Sequence, residues 1–186
     1  MTDDELVAAF QAGDSGALGE LLERHKAAVY GYLLRLTGRR DAAEDIFQEV
    51  FLKLVRDPSA YGQREKFRSW LFTVARNAAM DHFRRQGSRG EVPLQGEGDL
   101  PGPVDHVVSP EPGPEAAAVN KETGERIAAA LGRLSQDQRE VFYLRHYSGL
   151  SFKEIAGILG LPIGTVLARM SRAAAQLRKD LEKDTQ

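Results

Sequence analysis

Apolar residues recur at helical spacing through the first half of the chain. From residue 67 onward they repeat every three or four positions while the arginines fall off the stripe, as in an amphipathic basic helix. The same period runs over residues 18–36, stops at Gly38, returns from Ile46 to Val55 and ends at Pro58. A short opening helix is expected from about residue 3 to residue 12. Since no stretch alternates like a strand, residues 1–86 predict a small helical bundle. The stripe of the basic helix consists of Phe67, Trp70, Leu71, Val74, Ala75, Ala78 and Phe83.

A sharper pattern lies near the C-terminus. Ser151 and Glu154 form a capping-box pair that predicts a helix start, and Gly160 is a natural left-handed helix end. A second helix is expected from about Thr165 to Lys183. This is the spacing of a helix-turn-helix, with an ordinary helical hairpin as the alternative, and the register of the small and apolar positions favours the DNA-reading version. Those positions are Ala156, Ile155, Leu159, Leu161 and Val166.

A tether separates the two helical blocks. Residues 87–114 contain six of the eight prolines and six glycines, with acidic residues between them. Such a segment cannot build a core, and its charge keeps it extended. The chain is therefore predicted to be all-α, with two small helical domains at 1–86 and 115–186 joined by a flexible acidic Pro/Gly-rich linker at 87–114.

Charge is sorted along the chain. The 25 basic and 27 acidic residues give a net charge of -2, which argues against a nucleic-acid binder on average. By segment, however, residues 64–86 carry six basic and two acidic side chains, and residues 120–186 carry 11 and eight. Residues 1–63 and 87–119 are net acidic. Both helical blocks thus contain a basic part suited to phosphate contacts.

Several kinds of chemistry find no support in the sequence. Cysteine is absent, which excludes disulfides and thiolate metal sites and fits the cytoplasm. The four histidines lack metal-like spacing, and no Walker loop, nucleophile elbow or zincin motif occurs. No apolar run reaches the length of a membrane span, and the N-terminus is acidic. We expect no enzyme activity, no cofactor, no metal and no membrane insertion.

Three segments together resemble bacterial RNA polymerase sigma factors of the extracytoplasmic-function (ECF) type. They read DAAEDIFQEVFLKL at 41–54, FRSWLFTVARNAAMDHFRR at 67–85 and YSGLSFKEIAGILGLPIGTV at 147–166. The resemblance covers nearly the whole chain. It implies that residues 1–86 are sigma region 2, that residues 115–186 are sigma region 4, and that the partners are promoter DNA, core RNA polymerase (the β′ clamp and the β flap) and an anti-sigma factor.

The resemblance also implies roles for polar residues in the first half. From composition alone, the acidic stripe of residues 41–56 reads as a solvated helix face. The matching helix of the family docks on the β′ clamp, so the implied polymerase contacts are Asp45, Gln48 and Glu49. The basic helix and the loop from Tyr61 to Lys66 would read the minus-ten element, for which an amide suits base edges and arginine suits phosphate. The matching positions are Arg76, Asn77, Asp81, Arg84 and Arg85.

In the last helix the implied minus-thirty-five contacts are Thr165, Arg169, Ser171 and Arg172. The sequence departs from the family at Leu167, Ala168 and Ala174, where polar or basic residues are usual. Either the element is read partly through thymine methyl groups, or this helix binds DNA weakly and polymerase contributes more.

The linker, with Asp99, Asp105 and Glu111, reads either as a solubilising tether or as an anionic segment that threads the polymerase channel. We expect an alternative sigma factor that directs promoter-specific initiation. A helix-turn-helix regulator that acts without polymerase and a helical adaptor protein are the two rivals.

Overall fold

A computed structural model describes residues 1–57, 60–62, 66–87 and 114–183. These residues form eight helices and contain no strand. The all-α prediction is confirmed. The helices are α1 Asp3–Gln11, α2 Ser15–Thr37, α3 Arg40–Arg56, α4 Phe67–Arg85, α5 Pro114–Gly132, α6 Gln136–Ser148, α7 Phe152–Leu159 and α8 Ile163–Lys183.

Local side-chain signals set several helix boundaries. Three helices start with a capping box, in which a Ser or Thr hydroxyl accepts from the third helical amide and a Glu or Gln side chain reaches back. Gly38 and Gly160 end α2 and α7 at φ angles of 68° and 66°, in the left-handed region. The three capping pairs are Thr2 with Glu5, Ser135 with Gln138 and Ser151 with Glu154.

Helices α1 to α4 pack around an aromatic and aliphatic core. Every member of the predicted α4 stripe is buried, including Trp70, whose ring stacks on Phe67 with the centroids 5.7 Å apart. The stripe of α3 is buried from Ile46 to Leu54, whereas Val55 is 47% exposed. Including Val55 in that stripe is therefore wrong: it lies on the exposed side of α3 with Leu52, whereas its neighbour Leu54 is completely buried.

The predicted helix-turn-helix is present as α7, a turn and α8. Ile155 and Val166 are completely buried between the two helices, while Leu159 and Leu161 are half-buried. Helix α8 begins at Ile163, two residues before the predicted start, because the Pro162 carbonyl already accepts the first helical hydrogen bonds.

The second half of the chain packs on the first half through two of its helices. Helix α6 lies against α2 and α7 lies against α4, and the core residues of both halves form one continuous cluster. The minus-ten and minus-thirty-five candidates are thus carried by one body.

Some predicted features fall outside the described residues. These are His106, most of the predicted linker with Asp99, Asp105 and Glu111, and residues 63–65 of the loop before α4. Within the described part of the chain, no single helix is both long and apolar enough to cross a bilayer. Helices α7 and α8 meet that criterion only as a pair bent by 107°.

Candidate functional site

The polar face of α3 is open to solvent. Asp45, Gln48 and Glu49 are all exposed, on the side of the helix away from the buried Ile46 and Val50. Their spacing of three and four residues puts them on one face. The same face continues into two exposed apolar side chains, Leu52 and Val55, each 47% exposed. Acidic and apolar groups therefore form a continuous surface that could contact a partner protein.

The exposed minus-ten candidates meet this acidic surface at a shallow groove between α3 and α4. Arg85 Nη2 lies 3.3 Å from Glu49 Oε2, and Arg84 forms an ion pair with Asp81 one turn before it. All four side chains are at least half exposed, so the pairs add little to stability and can exchange for other partners. Asn77 is also exposed. The groove thus joins one predicted polymerase contact to three predicted DNA contacts.

Arg76 differs from the other minus-ten candidates. Its Nε donates to Glu140 Oε1 of α6 at 2.8 Å, and the Arg76 and Glu140 side chains are only 23% and 9% exposed. Burial disfavours the charged guanidinium, but the adjacent carboxylate outweighs that effect and raises the pKa of Arg76 above its usual value. Arg76 is therefore a charged group already occupied by a partner in the second half of the chain.

The minus-thirty-five candidates line α8 just after the turn. Thr165 is half-buried, whereas Ser171 and Arg172 are exposed. Arg172 Nε donates to its own helix, at Ala168 O, over 3.2 Å. Arg169 Nη2 donates to Asp137 Oδ2 of α6 at 2.5 Å. The helix therefore offers one arginine held by an acidic neighbour and one in solvent.

Apolar side chains take part of the exposed surface of the same helix. Ile163 is 48% exposed and Leu167, one turn later, is 44% exposed. Because Ile163 and Leu167 are both exposed, the surface of α8 is partly hydrophobic. An exposed apolar pair beside arginines could pack on thymine methyl groups.

Sequence reasoning missed the two acidic partners, Glu140 and Asp137. They lie 64 and 32 residues from Arg76 and Arg169, so no local spacing links them. The capping box at Ser135 and Gln138 could have placed the start of α6, and with it the face that carries both acids.

Family comparisons match both halves in order. The Sigma-70 region 2 family matches residues 21–89 and the Sigma-70 region 4 family matches residues 124–177. The ECF RNA polymerase sigma factor SigL of Mycobacterium tuberculosis is 35% identical over 176 residues, which cover 92% of this chain and 93% of the relative. SigE of Mycolicibacterium smegmatis is 35% identical over 174 residues, 92% of this chain, but this chain spans only 65% of that protein.

Solved structures show the same arrangement of helices. CnrH in complex with the cytosolic domain of CnrY superposes with a TM-score of 0.69 at 26% identity, covering 98% of both chains. The Bartonella quintana sigma factor RpoE in complex with the anti-sigma factor NepR gives 0.64 at 26% identity, covering 88% of this chain and 96% of that one. The chain matches both sigma regions in order, and it is 35% identical to SigL over nearly the full length of both proteins. It therefore belongs to the family of ECF RNA polymerase sigma factors.

Proposed function

We propose that this chain binds core RNA polymerase, directs it to promoters with a minus-ten and a minus-thirty-five element, and opens the DNA by binding alone. The observation that carries the proposal is the order of three surfaces on one chain. The α3 face and the basic surface of α4 lie within the Sigma-70 region 2 match, and the turn of the helix-turn-helix lies within the region 4 match that follows it. No covalent chemistry by the chain itself is required, and its place of action is the cytoplasm.

Core polymerase would dock on the α3 face. Asp45, Gln48 and Glu49 supply charge and hydrogen-bonding groups for a basic clamp helix, and Leu52 supplies apolar contact area at its edge. The second half of the chain would meet the β flap. In this assignment residues 1–86 form the polymerase-binding and minus-ten domain, 87–114 the linker and 115–186 the minus-thirty-five domain.

The surface of α4 suits melting of the minus-ten element. Flipped bases need a donor and acceptor at their edges, and the separated strand needs cations along its backbone. Asn77 can supply the donor and acceptor for a base edge. Arg84 and Arg85 can supply the cations for the backbone once their ion pairs with Asp81 and Glu49 break. Arg76 joins them once Glu140 releases it. Melting by this route stabilises the separated strand without any chemical step.

Helix α8 would read the minus-thirty-five element in the major groove. Thr165, Arg169, Ser171 and Arg172 are the polar contacts, with Leu167 beside them. A bidentate arginine–guanine contact contributes about 1–3 kcal/mol of discrimination, or roughly 5- to 150-fold. The exposed apolar pair favours an element with thymine methyl groups over weak binding by this helix.

An anti-sigma factor is the proposed inhibitory partner. Both solved relatives were captured in complex with a second protein, which for RpoE is the anti-sigma factor NepR. A partner that covers polymerase-facing surfaces on two linked halves gains from effective concentration. Affinity purification of the tagged chain from its host should recover such a protein in stoichiometric amount. Recovery of polymerase subunits alone would contradict the proposed anti-sigma factor.

Reconstituted transcription tests the main proposal. The purified chain with core polymerase should produce defined transcript starts from a library of genomic promoter fragments. Arg172→Ala should lose preference at one minus-thirty-five base pair, whereas Arg178→Ala, which removes an exposed cation farther along α8, should keep it. Strong operator binding without polymerase would favour the regulator instead. Initiation unaffected by both Arg76→Ala and Arg172→Ala would favour the adaptor.

A further inference from the structure

One carboxylate fixes the first turn of α1 to α2. Asp3 Oδ2 lies 2.8 Å from His25 Nε2, and Asp3 Oδ1 accepts from Arg24 Nη1 at 2.7 Å. The His25 side chain is completely buried and that of Asp3 is only 23% exposed, so water competes for this contact less than it would at the surface. Leu6 and Val7, in the same helix, are buried in the core. The start of α1 therefore has a fixed position on the bundle.

The next carboxylate, Asp4, holds the start of the segment that precedes α4. The Tyr61 hydroxyl donates to Asp4 Oδ1 at 2.6 Å, a length typical of a hydrogen bond to a charged acceptor. The two residues are 57 positions apart, so this bond fixes a tertiary position and not a local turn. Tyr61 itself is only 2% exposed. Removing either partner should therefore loosen the chain at Tyr61.

Contacts between side-chain rings connect these two anchors. Tyr61 packs edge-on against Phe67, the first residue of α4, with the centroids 5.5 Å apart. His25 lies against the same Phe67 ring, with the centroids 5.6 Å apart. Because Asp3 and Asp4 are neighbours in the chain, the contacts return to their starting point. We call these five residues the α1 bracket: Asp3, Asp4, His25, Tyr61 and Phe67.

The α1 bracket holds both ends of the segment between Tyr61 and Phe67. Both of these side chains are buried and touch each other, whereas the residues next to them, Gly62 and Lys66, are exposed. The chain thus leaves the core after Tyr61 and returns to it at Phe67. The resemblance to sigma factors assigns residues 61–66, together with α4, to the minus-ten element. The bracket therefore fixes the base of a segment that is expected to meet DNA.

A segment whose ends are already fixed loses less freedom when it binds a base. Ordering the chain costs conformational entropy, and the bracket moves part of that cost from binding to folding. The exposed cations proposed to contact phosphate, Arg84 and Arg85, lie at the other end of α4. Loosening the bracket should therefore weaken recognition of a base without changing the number of phosphate contacts.

We propose that Asp4 and Tyr61 are positioning residues for base recognition in the minus-ten element and that they act through the α1 bracket. The inference rests on the proposed promoter-reading function. Asp4 supplies the acceptor, Tyr61 supplies the donor, and the Tyr61–Phe67 contact passes the fixed position to the first turn of α4. Their role is to hold the segment in place, and neither needs to touch DNA.

Binding of the chain with core polymerase to partly single-stranded DNA tests the proposal. The probe is a promoter fragment recovered by the transcription assay, with the non-template strand of its minus-ten element unpaired. The affinity ratio between this probe and probes that lack one base reports what each base contributes. Asp4→Ala should lower the ratio about tenfold at one position, with the salt dependence unchanged because that slope counts phosphate contacts. Glu23→Ala, which also removes an exposed acid, should match the unchanged protein.

Two further variants separate positioning from a general structural effect. Tyr61→Phe keeps the ring and removes the hydroxyl, so it should give the same loss as Asp4→Ala, and the double variant should lose no more than either alone. Asp4→Asn keeps an acceptor oxygen and should recover most of the ratio. Equal losses at every base, or a parallel fall in binding to core polymerase without DNA, would overturn the positioning role.

The unchanged protein separates failure of this inference from failure of the proposed function. If its complex with polymerase depends on the minus-ten bases and both Asp4→Ala and Tyr61→Phe keep that dependence in full, the positioning role is wrong and the proposed function stands. If the unchanged complex shows no dependence on any base of the element, the proposed function is wrong, and the positioning role is wrong with it.

Discussion

Gly160, in the turn of the helix-turn-helix, offers a test of how backbone conformation holds α7 against α8. Its φ is +66°, and the amide of the next residue, Leu161, donates to Ala156 O at 3.0 Å. A Cβ at Gly160 would meet nothing within 4 Å. Gly160→Ala therefore adds no clash, and its cost is that of a left-handed backbone for an L-residue, about 1–2 kcal/mol.

Gly157 provides a matched control three residues earlier. It lies inside α7 and is exposed, and a Cβ added there would likewise meet nothing within 4 Å. The backbone at Gly157 is helical, and alanine loses less conformational entropy than glycine on folding. Gly157→Ala should therefore raise the free energy of unfolding by about 0.5–1 kcal/mol. The same substitution in equally open space is thus expected to have opposite signs at the two positions.

Hydrogen exchange measures this difference in the intact chain. Protection of the Leu161 amide, which bonds across the turn, should fall in Gly160→Ala by roughly 5- to 30-fold, the equivalent of about 1–2 kcal/mol of opening free energy. It should stay level or rise in Gly157→Ala. Urea unfolding followed by circular dichroism should show the same signs. Equal destabilisation by both substitutions would mean that packing, and not the left-handed backbone, sets the turn.

Three further results are expected. Burial lowers the pKa of His25 although Asp3 Oδ2 lies 2.8 Å away, so the unfolded chain protonates first. Unfolding free energy measured in urea should therefore fall as pH drops below about 6.5, by about 1.4 kcal/mol per unit of pKa difference, and a flat profile would contradict this. Because Leu71 is fully buried, Leu71→Ala should lower the free energy of unfolding by about 2–5 kcal/mol. Fluorescence of the single tryptophan, Trp70, would measure this unfolding. Leu52→Ala should change stability by less than about 0.5 kcal/mol yet weaken polymerase binding in a pull-down, since Leu52 is 47% exposed.

Local chemistry explains which parts of the fold could be predicted from the sequence. A capping box spans four residues and a glycine end spans one, so the start of α7 and the ends of α2 and α7 could be predicted without knowledge of the tertiary structure. The stripe of α4 could be predicted equally well because its buried positions follow the helical period. Val55 is apolar but lies on the exposed side of α3 with Leu52, and the packing of neighbouring helices determines how far around α3 the buried face extends.

The sequence could predict which residues belong to the candidate site, but not which acidic residues pair with its arginines. The residues on α3, α4 and α8 could be proposed from three motifs, because each motif lies within one helix or one turn. The acids that occupy Arg76 and Arg169 could not, because 64 and 32 residues separate them from their partners. Such contacts depend on how the halves dock, and several dockings would satisfy the same apolar patterns.

The docking also gives physical meaning to the sorted charge. A net charge of -2 would ordinarily argue against DNA binding, yet the segment 64–86 has six basic and two acidic residues. Glu140 and Glu154 of the second half neutralise part of that segment. An acid tethered to the same polypeptide competes at high effective concentration, so it suppresses weak, sequence-independent attraction to DNA. The same charges that permit promoter binding would then keep the free chain off random DNA.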